Sequence, residues 1–226
     1  GQFLLPDDFV HYILKFRDSR IWPTAEVEYI YYQMASRCGI EMENCRLVAI
    51  DGLNHFLTER FDRKNGGKLH TATLYVLSGE TVSYEELIKT CRKMRLPYKD
   101  IEQVFRRAVF NYLSGVCDDH DKNHSFVLAP EGHWRLAPAY DVTFTVNLLN
   151  RFIADRHAMS LSGQNRIVTM DDLLAFADYG DIRNPKSVIA EIQDAVNSFY
   201  SIAIQSGLDE GVIGIIDKHI KTHAVG

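Results

Sequence analysis

The spacing of apolar positions changes character part-way along this chain. His11–Tyr12–Ile13–Leu14–Lys15–Phe16 is a short apolar run flanked by Pro6–Asp7–Asp8 and Arg17–Asp18–Ser19, which predicts a strand. Pro23–Thr24 then opens a helix to about Cys38. Thr24 is the expected N-cap, Glu26 and Glu28 lie in the first turns, and Gly39 follows the end. Arg46–Ile50 and His55–Glu59 predict two strands around a turn at Asp51–Gly52–Leu53–Asn54. Strand, helix and hairpin together make a small mixed lobe over residues 1–62. Lys64–Asn65–Gly66–Gly67–Lys68 is a flexible polar turn, after which the spacing becomes helical.

Ser83–Tyr84–Glu85–Glu86 has the form of a capping box and starts a helix to about Met94. From Tyr98 to Ser114, Ile101, Val104, Phe105, Ala108, Val109 and Leu113 form one helical stripe. Ser125–Leu128 and His133–Leu136 predict a short hairpin around Pro130–Glu131–Gly132. Further helices are expected at Thr169–Ala177, Pro185–Gln205 and Asp209–His223. Residues 63–226 thus read as a larger, mainly helical lobe.

Composition narrows the function classes. The net charge of −5 leaves no basic footprint, so direct nucleic-acid binding is not expected. Cys38, Cys45, Cys91 and Cys117 are scattered with no Cys-x-x-Cys pair, which argues against a disulfide scaffold or a thiolate zinc site and for a reducing compartment. No apolar run approaches the ~20 residues of a membrane span, and the N-terminal residues do not read as a signal peptide. A cytoplasmic enzyme is the expectation.

The candidate chemistry lies in Cys117–Asp118–Asp119–His120–Asp121–Lys122–Asn123–His124 and in Tyr140–Asp141–Val142. A carboxylate, an amide and a second carboxylate stand at 118, 123 and 141. Phosphoryl transfer needs such a set: one group to orient a hydroxyl and two to hold Mg²⁺ on a nucleotide. Asp118 would take the hydroxyl, Lys122 would neutralise charge on the transferred phosphoryl, and Asn123 and Asp141 would hold the metal. A solvated loop at 118 and an N-cap at Asp141 are the structural alternatives. Lys15, inside an apolar strand, needs a partner, and Glu28 on the next helix is the natural one. An edge-strand lysine facing water is the alternative. Thr58–Arg63 falls at the expected junction, where backbone groups could pair with an adenine edge and Phe61 could pack on the ring. An ordinary salt-bridged turn would explain the same residues.

Two other metal readings compete. His120 and His124 stand at i and i+4, as in a zinc hydrolase, but Asp121 replaces the usual Glu and no third ligand is evident. Asp119, Asp121 and Asn123 fit the start of a calcium loop, but His124 replaces the glycine and Pro130 the bidentate Glu.

These residues resemble the C-terminal region of HipA-type serine/threonine kinases, the toxins of bacterial toxin–antitoxin systems. The resemblance runs through Glu28–Tyr29 with Met34–Ala35, Glu59–Arg60–Phe61–Asp62–Arg63, Asn111, Asp118–Phe126, Leu136–Val142 and His157–Gly163. It implies an α+β, protein-kinase-like bilobal fold and dependence on ATP and Mg²⁺. It also implies Asp118 as catalytic aspartate, His120 in the catalytic loop, Asn123 and Asp141 as metal ligands, Lys15 as the ATP phosphate lysine, and Glu59 and Phe61 at the adenine hinge. Family targets are aminoacyl-tRNA synthetases, and the usual partner is a small DNA-binding antitoxin. The family's phosphate-binding loop, often carrying an autophosphorylated serine, is expected before the Lys15 strand. The fourteen residues ahead of Lys15 contain no such loop. The first lobe is therefore read as incomplete, belonging to a fragment or to a HipT-type toxin of a split system, whose missing N-terminal subdomain is a separate protein. A catalytically silent module that binds an antitoxin is the other reading.

Overall fold

The computed structural model describes residues 9–17, 22–64, 67–79, 82–150 and 154–225. The expected flanks Pro6–Asp7–Asp8 and Asp18–Ser19 and the turn residues Asn65–Gly66 lie outside them. The chain begins with β1 (Tyr12–Lys15), α1 (Thr24–Arg37), β2 (Cys45–Ile50) and β3 (Leu53–Glu59). The strands form an antiparallel sheet in the order β1-β3-β2, with Lys15 opposite Phe56 and Leu47 opposite Phe56 on the other side. The β2–β3 turn is tighter than predicted. Asp51 and Gly52 alone make it, both at positive φ (51° and 74°), while Leu53 and Asn54 pair with Ile50 and Ala49. Such a two-residue turn matches the right-handed twist of the strands it joins.

Helix α1 places Val27, Ile30, Tyr31, Met34 and Ala35 in the core. Their helical spacing creates one apolar stripe. Pro23, not Thr24, occupies the cap, and Thr24 is already helical, so the expected side-chain cap is absent. Proline suits this entry because it has no N–H to leave unsatisfied. The helix packs beneath β3 and also against two later helices, so it carries the small sheet on the rest of the molecule.

After β3 come β4 (Arg63–Lys64) and β5 (Gly67–Lys68), paired with each other, then β6 (Thr71–Thr73) and α2 (Leu74–Ser78). Helices α3 (Tyr84–Lys93) and α4 (Tyr98–Ser114) match their predicted spans closely. Ser83 caps α3 by accepting from the Glu86 N–H at 3.3 Å. β7 (Ser125–Leu128) and β8 (Trp134–Leu136) form the predicted hairpin, and β6 joins it to give the order β6-β7-β8. Residues 71–73 are too short to carry a period of their own. Their pairing with Ser125–Val127 makes them a strand.

Four helices complete the molecule: α5 (Met170–Tyr179), α6 (Pro185–Asn197), α7 (Phe199–Gln205) and α8 (Glu210–His223). Thr169 and Asp172 form a reciprocal capping box on α5. The single helix predicted over Pro185–Gln205 is broken at Ser198. The Ser198 hydroxyl donates to the Ala195 carbonyl at 2.6 Å, a local bond that competes with helix continuation. Helix α4 lies at the centre, packed on α3, α5, α6 and α8. Among the described residues no helix is long and apolar enough to cross a membrane.

Candidate active site

Helix α4 ends at Gly115, whose φ of +79° turns the chain into the segment that carries Asp118. A side chain there would meet His219 at 2.8 Å and Phe144 at 2.9 Å. Past Gly115 the backbone is held at both ends. The Asp118 N–H donates to the Thr145 hydroxyl at 2.9 Å, and the Asn123 side-chain amide donates to the Asp118 carbonyl at 2.8 Å. A 3₁₀ turn at Asp121–Asn123 then leads into β7.

The Asp118 side chain is 67% exposed, with His120 Nε2 3.8 Å from its Oδ1. Its neighbour Asp119 is completely buried. The Asp119 carboxylate accepts from the Tyr84 hydroxyl (2.7 Å) and the backbone N–H groups of Ala158 (2.8 Å) and Met159 (3.3 Å), and pairs with His157 Nδ1 at 2.9 Å. Asn111 donates to the same Tyr84 hydroxyl at 2.8 Å, and His157 stacks on Tyr112 with centroids 3.8 Å apart. This buried network fastens the Asp118 loop to α3, α4 and residues 157–159. In the sequence Asp119 fits only the start of a calcium loop that His124 and Pro130 break. Adjacent aspartates look alike until the fold shows which one points inward.

Asp141 arrives on a strap that α4 clamps. Buried Asp100 takes Arg135 Nε and Nη2 at 3.0 Å each and the Leu136 N–H at 3.0 Å, while Arg107 donates to the Ala137 carbonyl at 2.8 Å. The Ala139 N–H donates to the Glu41 carbonyl at 2.7 Å. Tyr140 donates to the Lys122 carbonyl at 2.8 Å, tying the strap to the 3₁₀ turn. Asp141 itself has φ +58° and caps no helix. A left-handed non-glycine residue is strained, which the clamped strap sustains.

Lys15 binds Glu28 at 2.6 Å and also the Asp141 carboxylate. The predicted strand-to-helix ion pair is therefore present, with Asp141 as a third member. Burial pulls the Lys15 ammonium down, but Glu28 and Asp141 outweigh it and hold its pKa above the ordinary lysine value. Burial holds the Glu28 carboxyl above its ordinary value despite Lys15.

Lys15, Glu28, Glu59, Phe61, Tyr140 and Asp141 line one cavity of about 270 Å³ between the small sheet and the strap. A smaller cavity beneath it is lined by Asp118, Asn123, Tyr140 and Asp141 over buried Arg107 and His124. Asp141 belongs to both. At the hinge, Glu59 accepts from Asn44 at 2.8 Å, and Phe61 stacks on Tyr140 at 5.7 Å. The Glu59 and Arg60 N–H groups are taken by Asn44 and His11 carbonyls. Arg60 and Arg63 both hold Asp62, at 2.7 and 2.5 Å. The junction is thus salt-bridged as well as cavity-lining.

The remaining nominated residues fall elsewhere. Lys122 is exposed, its ammonium 5.1 Å from the Tyr75 ring centre, and it lines neither cavity. His120 and His124 do not share a helix face: a 3₁₀ turn separates them, and His124 is buried. Burial, with Arg107 adding to it, pushes the His124 pKa down to about 4. Among the described residues no group of three His, Cys, Asp or Glu side chains could hold a metal, which removes the zinc-hydrolase arrangement. Asn123 and Asp141 bring two oxygen-bearing side chains to the lining of one small cavity. That donor set fits Mg²⁺, which keeps several waters and needs few protein ligands.

A family model described as the HipA-like C-terminal domain matches residues 3–201. The chain is 25% identical over 142 residues to the serine/threonine-protein kinase toxin HipA of Shewanella oneidensis, covering 51% of this chain and 33% of that protein. It is 28% identical over 151 residues to a Haemophilus influenzae protein named as a candidate kinase, covering 58% and 44%. The chain therefore spans less than half the length of these curated relatives. Among solved structures, the Shewanella oneidensis complex of HipA, HipB and operator DNA aligns with a TM-score of 0.76 at 21% identity, over 94% of this chain and 57% of that one. The Helicobacter pylori proinflammatory kinase CtkA aligns with a TM-score of 0.64 at 12% identity, over 94% and 86%. The architecture is the kinase-like one expected.

Proposed function

The chain belongs to the HipA-like C-terminal domain family, and on that premise we propose that it is the core of an ATP- and Mg²⁺-dependent serine/threonine protein kinase toxin. One observation carries this reading: five residues from four separate segments, Lys15, Glu28, Glu59, Phe61 and Asp141, line a single cavity, and Asp141 links it to Asp118 and Asn123.

Each residue then has a part. Glu59 and Phe61 wall the adenine end, where a flat ring suits the Phe61–Tyr140 stack. Lys15, held by Glu28, exchanges Asp141 for phosphate oxygens. Asn123 and Asp141 would hold Mg²⁺, which when bound would neutralise charge on the phosphates. Asp118 accepts a hydrogen bond from the acceptor hydroxyl and orients it for in-line attack. The hydroxyl oxygen forms a bond to the γ-phosphorus, the bond to the bridging oxygen breaks, ADP departs, and the proton passes to Asp118. His120 flanks Asp118. Lys122 reaches the phosphoryl group only by leaving Tyr75, so it has the smallest part. An aminoacyl-tRNA synthetase as target and an antitoxin as partner follow from the family likeness.

Calorimetric titration with ATP separates this from a silent binding module. The proposal expects affinity that requires Mg²⁺ and is lost in Asp141→Asn, since asparagine tolerates positive φ. Affinity indifferent to Mg²⁺ would count against it.

A further inference from the structure

Beside Asp118 lies an open groove of about 900 Å³, lined by Val82, Asp118, Thr145, Arg156, Ser160 and Asn165. Resting on the kinase reading above, we infer that this groove seats an extended segment of the acceptor protein, and that Arg156 selects segments with an acidic side chain near the acceptor hydroxyl.

Three observations carry the inference. The first is position. Asp118 is 67% exposed and stands in the groove's wall, so this surface gives a hydroxyl access to it from outside. The second is construction. Asp119 and Val82 fix the walls: Asp119 holds the Ala158 and Met159 N–H groups, and the Val82 carbonyl accepts from the Ser160 N–H at 2.7 Å and hydroxyl at 3.1 Å. Val82 is 62% exposed and offers an apolar edge beside hydroxyl and amide groups. That mixture suits a polypeptide, which presents backbone polar groups and side chains together. Asn147 also lines the groove; its Oδ1 accepts the Leu149 and Asn150 N–H groups at 3.1 Å each, and Leu149 beside it is 99% exposed.

The third observation is charge. Arg156 is exposed, lines the groove, and has no ion pair among the described residues. Its neighbour Asp155 is already held by Arg166 at 3.0 Å. The chain as a whole carries a net charge of −5 and repels acidic partners in general. A guanidinium free of ion pairs among the described residues, in the wall that holds Asp118, offsets that locally, and its fork geometry matches a carboxylate. Complementarity of this kind chiefly sets partner choice.

The test uses the full chain and fluorescein-labelled serine peptides that differ only in whether residues within four positions of the serine are Glu or Lys. Fluorescence anisotropy reads binding, and Mg²⁺–ATP titration is run on the same samples. Wild type is expected to bind the Glu peptide about tenfold more tightly than the Lys peptide. R156A should erase the preference and R156E should reverse it, with ATP affinity unchanged. The same peptide ranking in wild type and R156E, or no binding of either peptide, overturns the inference. Intact Mg²⁺-dependent ATP binding with unselective peptides would sink the groove and spare the kinase reading. Charge-selective peptides without ATP binding would do the reverse.

Discussion

Asp118 is 67% exposed and Asp119 fully buried, although one peptide bond separates them. The two should therefore fail in opposite ways. Asp118→Ala removes an exposed side chain, so stability should stay within ~0.5 kcal/mol while phosphate transfer falls by orders of magnitude, each tenfold being about 1.4 kcal/mol of barrier. Asp119→Ala leaves Tyr84 and His157 without their buried partner and should cost roughly 3 kcal/mol in denaturant unfolding. Equal effects of the two substitutions on stability would contradict the burial difference. A second residue-scale prediction concerns His219. Burial, then repulsion from His223 and His157, lowers its pKa to about 3. Its folded pKa lies below the unfolded value, so the unfolded chain binds the extra proton between these values. This contribution to stability is complete above about pH 6.5 and is lost as pH falls toward about 3, with a slope of up to ~1.4 kcal/mol per pH unit. His219→Phe should flatten that slope in pH-dependent unfolding; an unchanged slope would contradict it. Lys15 with Glu28 was legible in the sequence because a charge inside an apolar strand demands a partner. The burial of Asp119 was not, because its donors come from α3 and from residues 157–159, far away in the chain.

At the scale of elements, the turn out of α4 decides where Asp118 stands. Gly115 combines φ +79° with His219 and Phe144 where a Cβ would go, at 2.8 and 2.9 Å. Gly115→Ala should destabilise by about 2 kcal/mol or more, from left-handed strain of ~1–2 kcal/mol plus the steric contact, and should lower transfer activity by shifting the loop. Full activity and stability in this variant would show that the turn is not a constraint. Helix α3 was readable from its Ser83 cap, and α4 from its apolar stripe. The break at Ser198 depends on one hydroxyl choosing a local carbonyl, and β6 exists only because β7 is beside it. Neither leaves a periodic trace in the sequence.

For the whole molecule, the site exists because three separate supports meet. α1 carries Glu28 while packing on both the small sheet and α6 and α7, the β1 strand brings Lys15, and the clamped strap brings Asp141. The ordered series of motifs signalled this arrangement, whereas the cavity shared through Asp141 needed the fold. Ligand binding should accordingly stabilise the whole unit. Mg²⁺–ATP at about 100 times its Kd should add roughly 2.7 kcal/mol, a rise in Tm of about 5–10 °C. Lys15→Met should abolish most of that rise, and an undiminished shift would remove Lys15 from the phosphate site. The most direct measurement is transfer of γ-labelled phosphate from ATP to protein serine or threonine by wild type, Asp118→Ala and Asp141→Asn, with and without Mg²⁺. The account predicts acid-stable labelling by wild type with Mg²⁺ alone, and its loss in both variants. Labelling that persists in both variants would contradict it.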